Sequence, residues 1–265
     1  MNVAANLCLA VGFAFARDFA YKSVHMETSN PLLKREGAFT GAWAETRPMT
    51  LQGVINKAGI LLLLCLGAAG FAWVNPELRG PFLLVGIIGG FIACMVGTFK
   101  PASSPIAGPI YAVLEGLALG AISQMIGQRY PGIVANAVLL TFGVLAIMLM
   151  LYTSRTIRVT DRMVKGVVAA TAAVALVYVV DIVMNMFGAR MPLIHESGWL
   201  GIGISLVIIG IAAFNLLVDF AVIESGVERG SPKYMEWYCG MALLVTLVWL
   251  YLEILRLLSK LRGRD

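Results

Sequence analysis

The chain has 265 residues, of which 59% are hydrophobic and only 13% are charged, whereas soluble domains carry about 25% charged residues. Too few polar residues are present to cover a water-facing surface, so the composition excludes an ordinary soluble domain and predicts an integral membrane protein. The formal net charge of +5 does not indicate a nucleic-acid partner, because the basic residues flank apolar segments, where they set the orientation of a membrane protein.

Residues 1–50 are predicted to form a poorly structured N-terminal arm. Its apolar run at residues 3–15 is too short to cross a bilayer and follows no basic stretch, so it fits neither a transmembrane helix nor a secretory signal. A second methionine, Met26, opens the polar part of the arm. The first 25 residues are therefore compatible with an upstream start codon or with an interfacial helix. The membrane domain is expected at residues 51–265.

Seven apolar segments follow, each close to the roughly 20 residues that a helix needs to cross a bilayer. Because lipid offers the backbone no hydrogen-bond partners, runs of this length are predicted to be helices. Two G-x-x-x-G spacings, Gly86 with Gly90 and Gly116 with Gly120, predict close packing between helices. The fold class is therefore an all-α integral membrane protein. The segments are residues 54–74, 80–99, 104–127, 132–153, 165–187, 199–223 and 239–260.

The distribution of lysine and arginine predicts a cytoplasmic N-terminus. Basic residues concentrate in the arm and after the fourth and sixth segments, which all lie on one side of a seven-span bundle. The C-terminal tail is also basic, although it would emerge on the other side. The side of the C-terminus therefore stays open.

Four acidic residues lie in the apolar segments: Glu115, Asp181, Asp219 and Glu253. An ionisable residue in the hydrocarbon core is costly unless it faces the bundle interior, water or a partner, so each is a candidate functional residue. Two of them have a structural alternative. Asp181 is compatible with a position at the membrane edge, and Glu253 is compatible with a local ion pair to Arg256, three residues later.

Polar neighbours extend two of these positions along their helices. Tyr111 lies one turn before Glu115, and Asn215 lies one turn before Asp219, so each pair is predicted to share a helix face. We therefore regard Tyr111, Glu115, Asp181 and Asn215 as candidates for lining an ion path.

The acids have few fixed counter-charges, because no basic residue lies inside the first six segments beyond their ends. They are therefore protonated or visited by a cation. Two neighbouring carboxyl groups share one proton, and ionised carboxylate oxygens are ligands that calcium prefers. One such site is expected to hold protons at low pH and to admit divalent cations at higher pH, with calcium as a transported ion rather than a cofactor.

An enzymatic function is not predicted. The two histidines are His25 in the arm and His195 in a loop, and neither lies in a metalloprotease, hydrolase or nucleotide-binding motif. The four cysteines have no metal-ligand spacing. We therefore expect no cofactor.

Five stretches of this sequence, in this order, resemble the Bax inhibitor-1-like family, also called the transmembrane Bax inhibitor motif family, in its bacterial branch. The resemblance implies a seven-helix bundle in which six helices surround a central, acid-bearing last helix. It also implies a location in the bacterial inner membrane. The stretches are SNPLL (29–33), MTLQGVINKAGILLLL (49–64), PIYAVLEGLALGAIS (109–123), YPGIVANAVLLTFGVLAIMLMLY (130–152) and YMEWYCGMALLVTLVWLYLEILRLL (234–258).

Members of that family are associated with a pH-dependent calcium leak that two carboxylates on the last two helices gate by sharing a proton. The carboxylate on the sixth helix resembles Asp219, because VDFAVIESG stands where the family has its aspartate followed by a short loop. The carboxylate on the seventh helix resembles Glu253, because LYLE matches the Leu-Tyr-Leu-Asp of the family, with glutamate in place of aspartate. The resemblance implies transient calcium binding by Asp219 and Glu253.

Two functions are therefore considered. The first is a pH-sensitive passive calcium leak, in which protonation of the Asp219 and Glu253 pair shuts the path. The second is a regulatory protein without transport activity, which binds other membrane proteins such as a quality-control protease and uses its N-terminal arm for that contact.

Overall fold

The structure, a computed structural model, describes residues 47–187 and 198–263. The predictions for the arm before residue 47, including those for Met26 and His25, lie outside the described residues. The same is true of the loop histidine His195.

The described residues form seven helices, each long and apolar enough to cross a membrane. Their outward faces carry large exposed apolar side chains, as lipid requires, and the buried apolar side chains form the interior. The predicted all-α fold with seven membrane-spanning helices is confirmed. The helices are α1 (Leu51–Val74), α2 (Arg79–Phe99), α3 (Ser104–Arg129), α4 (Ile133–Thr153), α5 (Asp161–Met186), α6 (Trp199–Glu228) and α7 (Met235–Arg262).

Local sequence signals define several helix ends. The hydroxyl of Thr50 accepts a hydrogen bond from the backbone N–H of Gly53 and caps α1, and Thr160 caps α5 in the same way through Met163. Between α3 and α4 the chain turns at Gly132, whose φ of 81° lies in the left-handed region that glycine tolerates. Short 3₁₀ turns at Pro76–Leu78 and Pro101–Ser103 join α1, α2 and α3.

The first three helices pack through small residues. A Cβ added at Gly116 would lie 2.3 Å from the carbonyl oxygen of Cys65, and one added at Gly120 would lie 2.3 Å from that of Ala69. The backbones of α1 and α3 therefore approach closely only because these positions are glycine. The predicted packing role of this G-x-x-x-G pair is confirmed.

The last helix, α7, is the centre of the bundle, as the family resemblance implies. Most of its length is buried, and it contacts each of the other six helices. The polar side chains on the buried part of α7, such as Thr246 and Glu253, are therefore surrounded by protein rather than lipid. The contacts join Gly240 to Ala58 on α1, Met241 to Gly97 on α2, Tyr251 to Ser123 on α3, Glu253 to Tyr178 on α5 and Thr246 to Asp219 on α6, and α4 packs along α7 as well.

Both α1 and α7 begin at one end of the bundle, which we call the N-terminal face. There the backbone N–H and the hydroxyl of Thr50 donate hydrogen bonds to Glu236 Oε1, at 3.1 and 3.2 Å. The backbone N–H of Met49 also donates to the carbonyl of Ser231, in the loop between α6 and α7. Because α7 crosses the bundle once, Arg262 at its end lies at the other end, which we call the opposite face.

Candidate functional site

One face of α7 carries a row of polar and aromatic side chains: Thr246, Trp249, Glu253, Arg256 and Lys260. Their spacings of three and four residues place them on a single helix face. Over fourteen residues the row is about 21 Å long, since an α-helix rises 1.5 Å per residue. This face is turned towards α5 and α6, and we call the row together with its partners on those helices the polar column.

The charged centre of the polar column is Glu253, whose side chain is completely buried. Arg256 Nη1 donates to both of its carboxylate oxygens, at 3.0 Å to Oε1 and 2.9 Å to Oε2. Tyr178 on α5 donates to Oε1 at 2.5 Å, and the indole N–H of Trp249 donates to the same atom at 3.2 Å. The local Glu253–Arg256 ion pair considered from the sequence is therefore present, inside a larger hydrogen-bonded cluster.

Tyr178 joins both members of that ion pair. Arg256 Nη1 donates to the Tyr178 hydroxyl at 2.5 Å, and the guanidinium also lies over the phenol ring, 5.1 Å from its centroid. The hydroxyl thus accepts from the cation and donates to the anion Glu253. From the sequence, Tyr178 stands out only because it lies one turn before Asp181. The spacing of residues along one helix does not reveal which side chains contact another helix.

The other acid of the predicted pair, Asp219, is buried on α6 and faces another level of the polar column. Thr246 Oγ1 donates to Asp219 Oδ2 at 2.6 Å. Because Thr246 and Glu253 are seven residues apart on α7, the two carboxyl groups are bound at positions about 10 Å apart along that helix. Asp219 and Glu253 therefore face the same column at different levels. Thr246, which the sequence did not single out, is the partner of Asp219 on α7.

Two other predicted path residues lie in or beside the polar column. Asn215, one turn before Asp219, is completely buried, and its amide donates to Thr171 Oγ1 on α5 at 2.8 Å. Asp181 is also completely buried, one turn after Tyr178 on α5. The side chain of Asp181 therefore points into the bundle and not to its lipid-facing surface.

The opposite-face end of the polar column is formed by Lys260, which is almost fully buried although it is a lysine. Its ammonium group donates to the carbonyl of Gly201 at 3.0 Å and to Ser205 Oγ at 2.9 Å, both on α6. Along the column from the N-terminal face, the acids Asp219 and Glu253 therefore come before the cations Arg256 and Lys260. The sequence did not single out Lys260, although its four-residue spacing from Arg256 was readable.

Glu115 and Tyr111 occupy a different place, between α1, α2 and α3. Both are buried, and a Cβ added at Gly90 on α2 would lie 2.9 Å from Glu115 Oε2. The neighbouring thiols are those of Cys65 and Cys94. None of these neighbours belongs to the polar column, so the structure divides the predicted path residues between two buried polar sites.

The carboxylates of the polar column are engaged by other groups of the protein. Within residues 47–187 and 198–263, no three His, Cys, Asp or Glu side chains come together in a way that would hold a metal ion. Both oxygens of Glu253 are occupied by Arg256. The carboxylate of Glu253 is therefore covered by the protein's own guanidinium.

Comparison with known proteins adds one finding. A family model described as Bax inhibitor 1 like matches residues 27–263, a range that includes all seven helices. Similarity searches among curated proteins and among solved structures gave no match.

Proposed function

The chain belongs to the Bax inhibitor 1 like family, and on that premise we propose that it is a pH-sensitive passive leak for calcium ions. The polar column between α5, α6 and α7 is the path. The observation that carries the proposal is the buried row on α7, in which side chains from Thr246 to Lys260 turn polar groups inwards across about 21 Å. Buried ionisable groups are expensive in a membrane protein, and they mark ion pathways and proton relays.

The two acids supply ligands of the kind that calcium takes. Asp219 and Glu253 each offer carboxylate oxygens, and Asn215 and Thr246 add neutral oxygens near Asp219. Because Asp219 faces Thr246, which lies about 10 Å from Glu253 along α7, a cation is bound first at one level of the column and then at the other. Asp219, which is nearer the N-terminal face, is the first of these sites for an ion that enters from that side.

In this proposal Arg256 closes the path. Its guanidinium contacts both oxygens of Glu253 and the hydroxyl of Tyr178, so a cation binds Glu253 only after Arg256 has moved away. The side chain of Arg256 is 21% exposed, whereas that of Glu253 is completely buried. Arg256 is therefore the member of the pair that moves, towards the opposite face.

Protonation of Asp219 and Glu253 shuts the leak. A protonated carboxyl group has no charge to attract a cation, and the nearby cations Arg256 and Lys260 then dominate the field along the polar column. Lys260 also opposes the exit of cations when the path is open. A slow leak is therefore expected rather than a fast channel.

The orientation and location belong to the same proposal. We place the protein in the bacterial inner membrane with the N-terminal face in the cytoplasm. The described basic residues of membrane-flanking segments are concentrated at the N-terminal face, as the positive-inside rule requires. At that face lie Arg47, Lys57, Lys100, Arg155, Arg158, Arg162, Lys165, Arg229 and Lys233, and near the opposite face lie Arg79, Arg129, Lys260 and Arg262.

The test is calcium flux into liposomes that contain the purified protein and a calcium dye. Wild-type protein is expected to conduct at neutral pH and progressively less as the pH falls. Asp219→Asn removes the charge of the first site and is expected to reduce flux at every pH. The matched control is Glu224→Gln, on the same helix at the N-terminal face, where Glu224 binds Tyr152 and Arg155 outside the polar column. Equal flux in wild type and Asp219→Asn across the pH range would contradict the proposal.

A regulatory role through the N-terminal arm is the other candidate, and one observation favours it. Pro48 and Met49, at the end of the arm, pair with Pro232 and Ser231 in the loop that leads into α7. A partner that pulls on the arm would therefore act on α7 directly. Deletion of residues 1–46 separates the roles: loss of co-purifying membrane proteins with unchanged calcium flux supports regulation, and loss of flux with unchanged partners supports transport.

A further inference from the structure

A cavity of about 260 Å³ lies between α1, α3, α4 and α7, on the side of α7 turned away from the polar column. It runs from the middle of the bundle towards the opposite face, because its lining on α1 ends at Trp73, one residue before that helix ends. The helices α1 and α4 do not pack extensively against each other. Leu66 and Phe142 on either side of the gap are exposed. The cavity therefore opens sideways, at the depth of the lipid chains.

The walls of the cavity favour an apolar occupant. Its lining is almost entirely aliphatic and aromatic. Two of its lining residues carry hydroxyl groups that hydrogen-bond to each other: Ser123 Oγ and Tyr251 Oη lie 2.7 Å apart. A cavity with such a lining does not hold water, and an empty void of this size forfeits packing contacts. A lipid chain supplies those contacts, and it is the material that surrounds the opening.

The opposite-face end of the cavity has a fixed positive charge. Gln124 donates to the carbonyl of Trp73 at 2.9 Å, and Arg79 Nε donates in turn to Gln124 Oε1 at 3.0 Å. Arg79 Nη2 donates to Gln128 Oε1 at 3.3 Å. Both acceptors are neutral amides, and within residues 47–187 and 198–263 Arg79 has no carboxylate partner. Its charge is therefore held next to the cavity end and remains available for an anion.

We propose that this cavity and Arg79 form a binding site for one anionic phospholipid. An acyl chain enters between α1 and α4, and the lipid phosphate contacts the guanidinium of Arg79. The indole of Trp73 lies at the boundary between the two parts of the lipid, where tryptophan is common in membrane proteins. The site is independent of the calcium path, since none of the side chains that line it belongs to the polar column.

The test counts lipids on delipidated protein in detergent by native mass spectrometry. Phosphatidylglycerol and phosphatidylcholine with identical chains are titrated separately. Wild type is expected to bind one phosphatidylglycerol molecule about tenfold more tightly than phosphatidylcholine, because both lipids carry the phosphate but the choline ammonium of phosphatidylcholine neutralises the headgroup and is repelled by Arg79. Equal affinities for the two lipids would overturn the proposal.

Two variants separate the chain site from the headgroup site. Val138→Phe fills the cavity and is expected to lose the tight phosphatidylglycerol, whereas Leu139→Phe, on the exposed face of the same helix, is expected to keep it. Arg79→Gln is expected to lower the affinity for phosphatidylglycerol to that for phosphatidylcholine. Wild-type affinity for phosphatidylglycerol in Val138→Phe, or in Arg79→Gln, would overturn the proposal. Arg79→Gln, at a half-buried surface position, keeps the test decisive if Val138→Phe does not fold.

Discussion

Replacement of Arg256 by glutamine tests the ion pair at the centre of the polar column. The change removes the only described cation that contacts Glu253 and leaves the carboxylate completely buried. We expect Arg256→Gln to lower the stability of the protein strongly at neutral pH, because a buried charge without its partner is not compensated.

The size of this loss in stability follows from the contacts that Glu253 loses and those that it keeps. Removal of one partner of a buried ion pair costs about 3–5 kcal/mol. Glu253 keeps the hydrogen bonds from Tyr178 and Trp249, so the lower end, about 3 kcal/mol, applies. For a chain of this size 1 kcal/mol corresponds to roughly 2–4 °C in Tm, and the expected decrease is therefore about 6–12 °C.

The assay is thermal unfolding in detergent, followed by tryptophan fluorescence. Arg262→Gln is the matched control, because Arg262 is exposed at the end of the same helix, and it is expected to melt like wild type. The double variant Glu253→Gln with Arg256→Gln is expected to recover most of the loss, since neither charge remains. A Tm of Arg256→Gln within about 2 °C of wild type would show that the ion pair does not stabilise the bundle.

Three further changes test other parts of the structure. Glu115→Gln is expected to leave the Tm unchanged or to raise it in the same melting assay, because Glu115 has no ion pair among the described residues to lose. A decrease in Tm as large as that of Arg256→Gln would contradict this. Gly120→Ala places a methyl group 2.3 Å from a backbone carbonyl of α1 and is expected to reduce the folded yield, whereas Gly143→Ala, with open space around it, is the control that should not. Thr50→Ala removes the hydroxyl that caps α1 and that donates to Glu236, and the free energy of unfolding is expected to fall by about 1 kcal/mol. An unchanged Tm would show that the cap is not needed.

The helices were largely predictable from the sequence, because lipid imposes one strong requirement on apolar runs. The differences lie at the ends, where polar residues continue a helix beyond its apolar part. The sixth segment was predicted to end at residue 223, but α6 continues to Glu228 at the N-terminal face. The fifth was predicted to begin at residue 165, but α5 begins at Asp161. Thr160 is a standard capping residue and would have identified that start.

The candidate site was predictable in part. Burial of Asp219 and Glu253 follows from their place in apolar segments, and Arg256 was readable as a neighbour on the same helix. The contacts of Thr246 with Asp219 and of Tyr178 with Glu253 join different helices, and no spacing along one helix encodes them. The three- and four-residue spacing of the α7 row was present in the sequence, and it would have indicated Thr246 and Lys260 as members of the polar face.

Chemical modification at position 246 tests whether calcium passes along the polar column. In a cysteine-free background, Thr246→Cys places a thiol in the polar column, and Leu247→Cys places one on the side of α7 that faces the lipid cavity. A small cationic thiol reagent is added to liposomes in which calcium flux is recorded. Modification at position 246 is expected to stop the calcium flux, and modification at position 247 is expected to leave it unchanged. Calcium flux that continues after complete modification at position 246 would show that the path lies elsewhere.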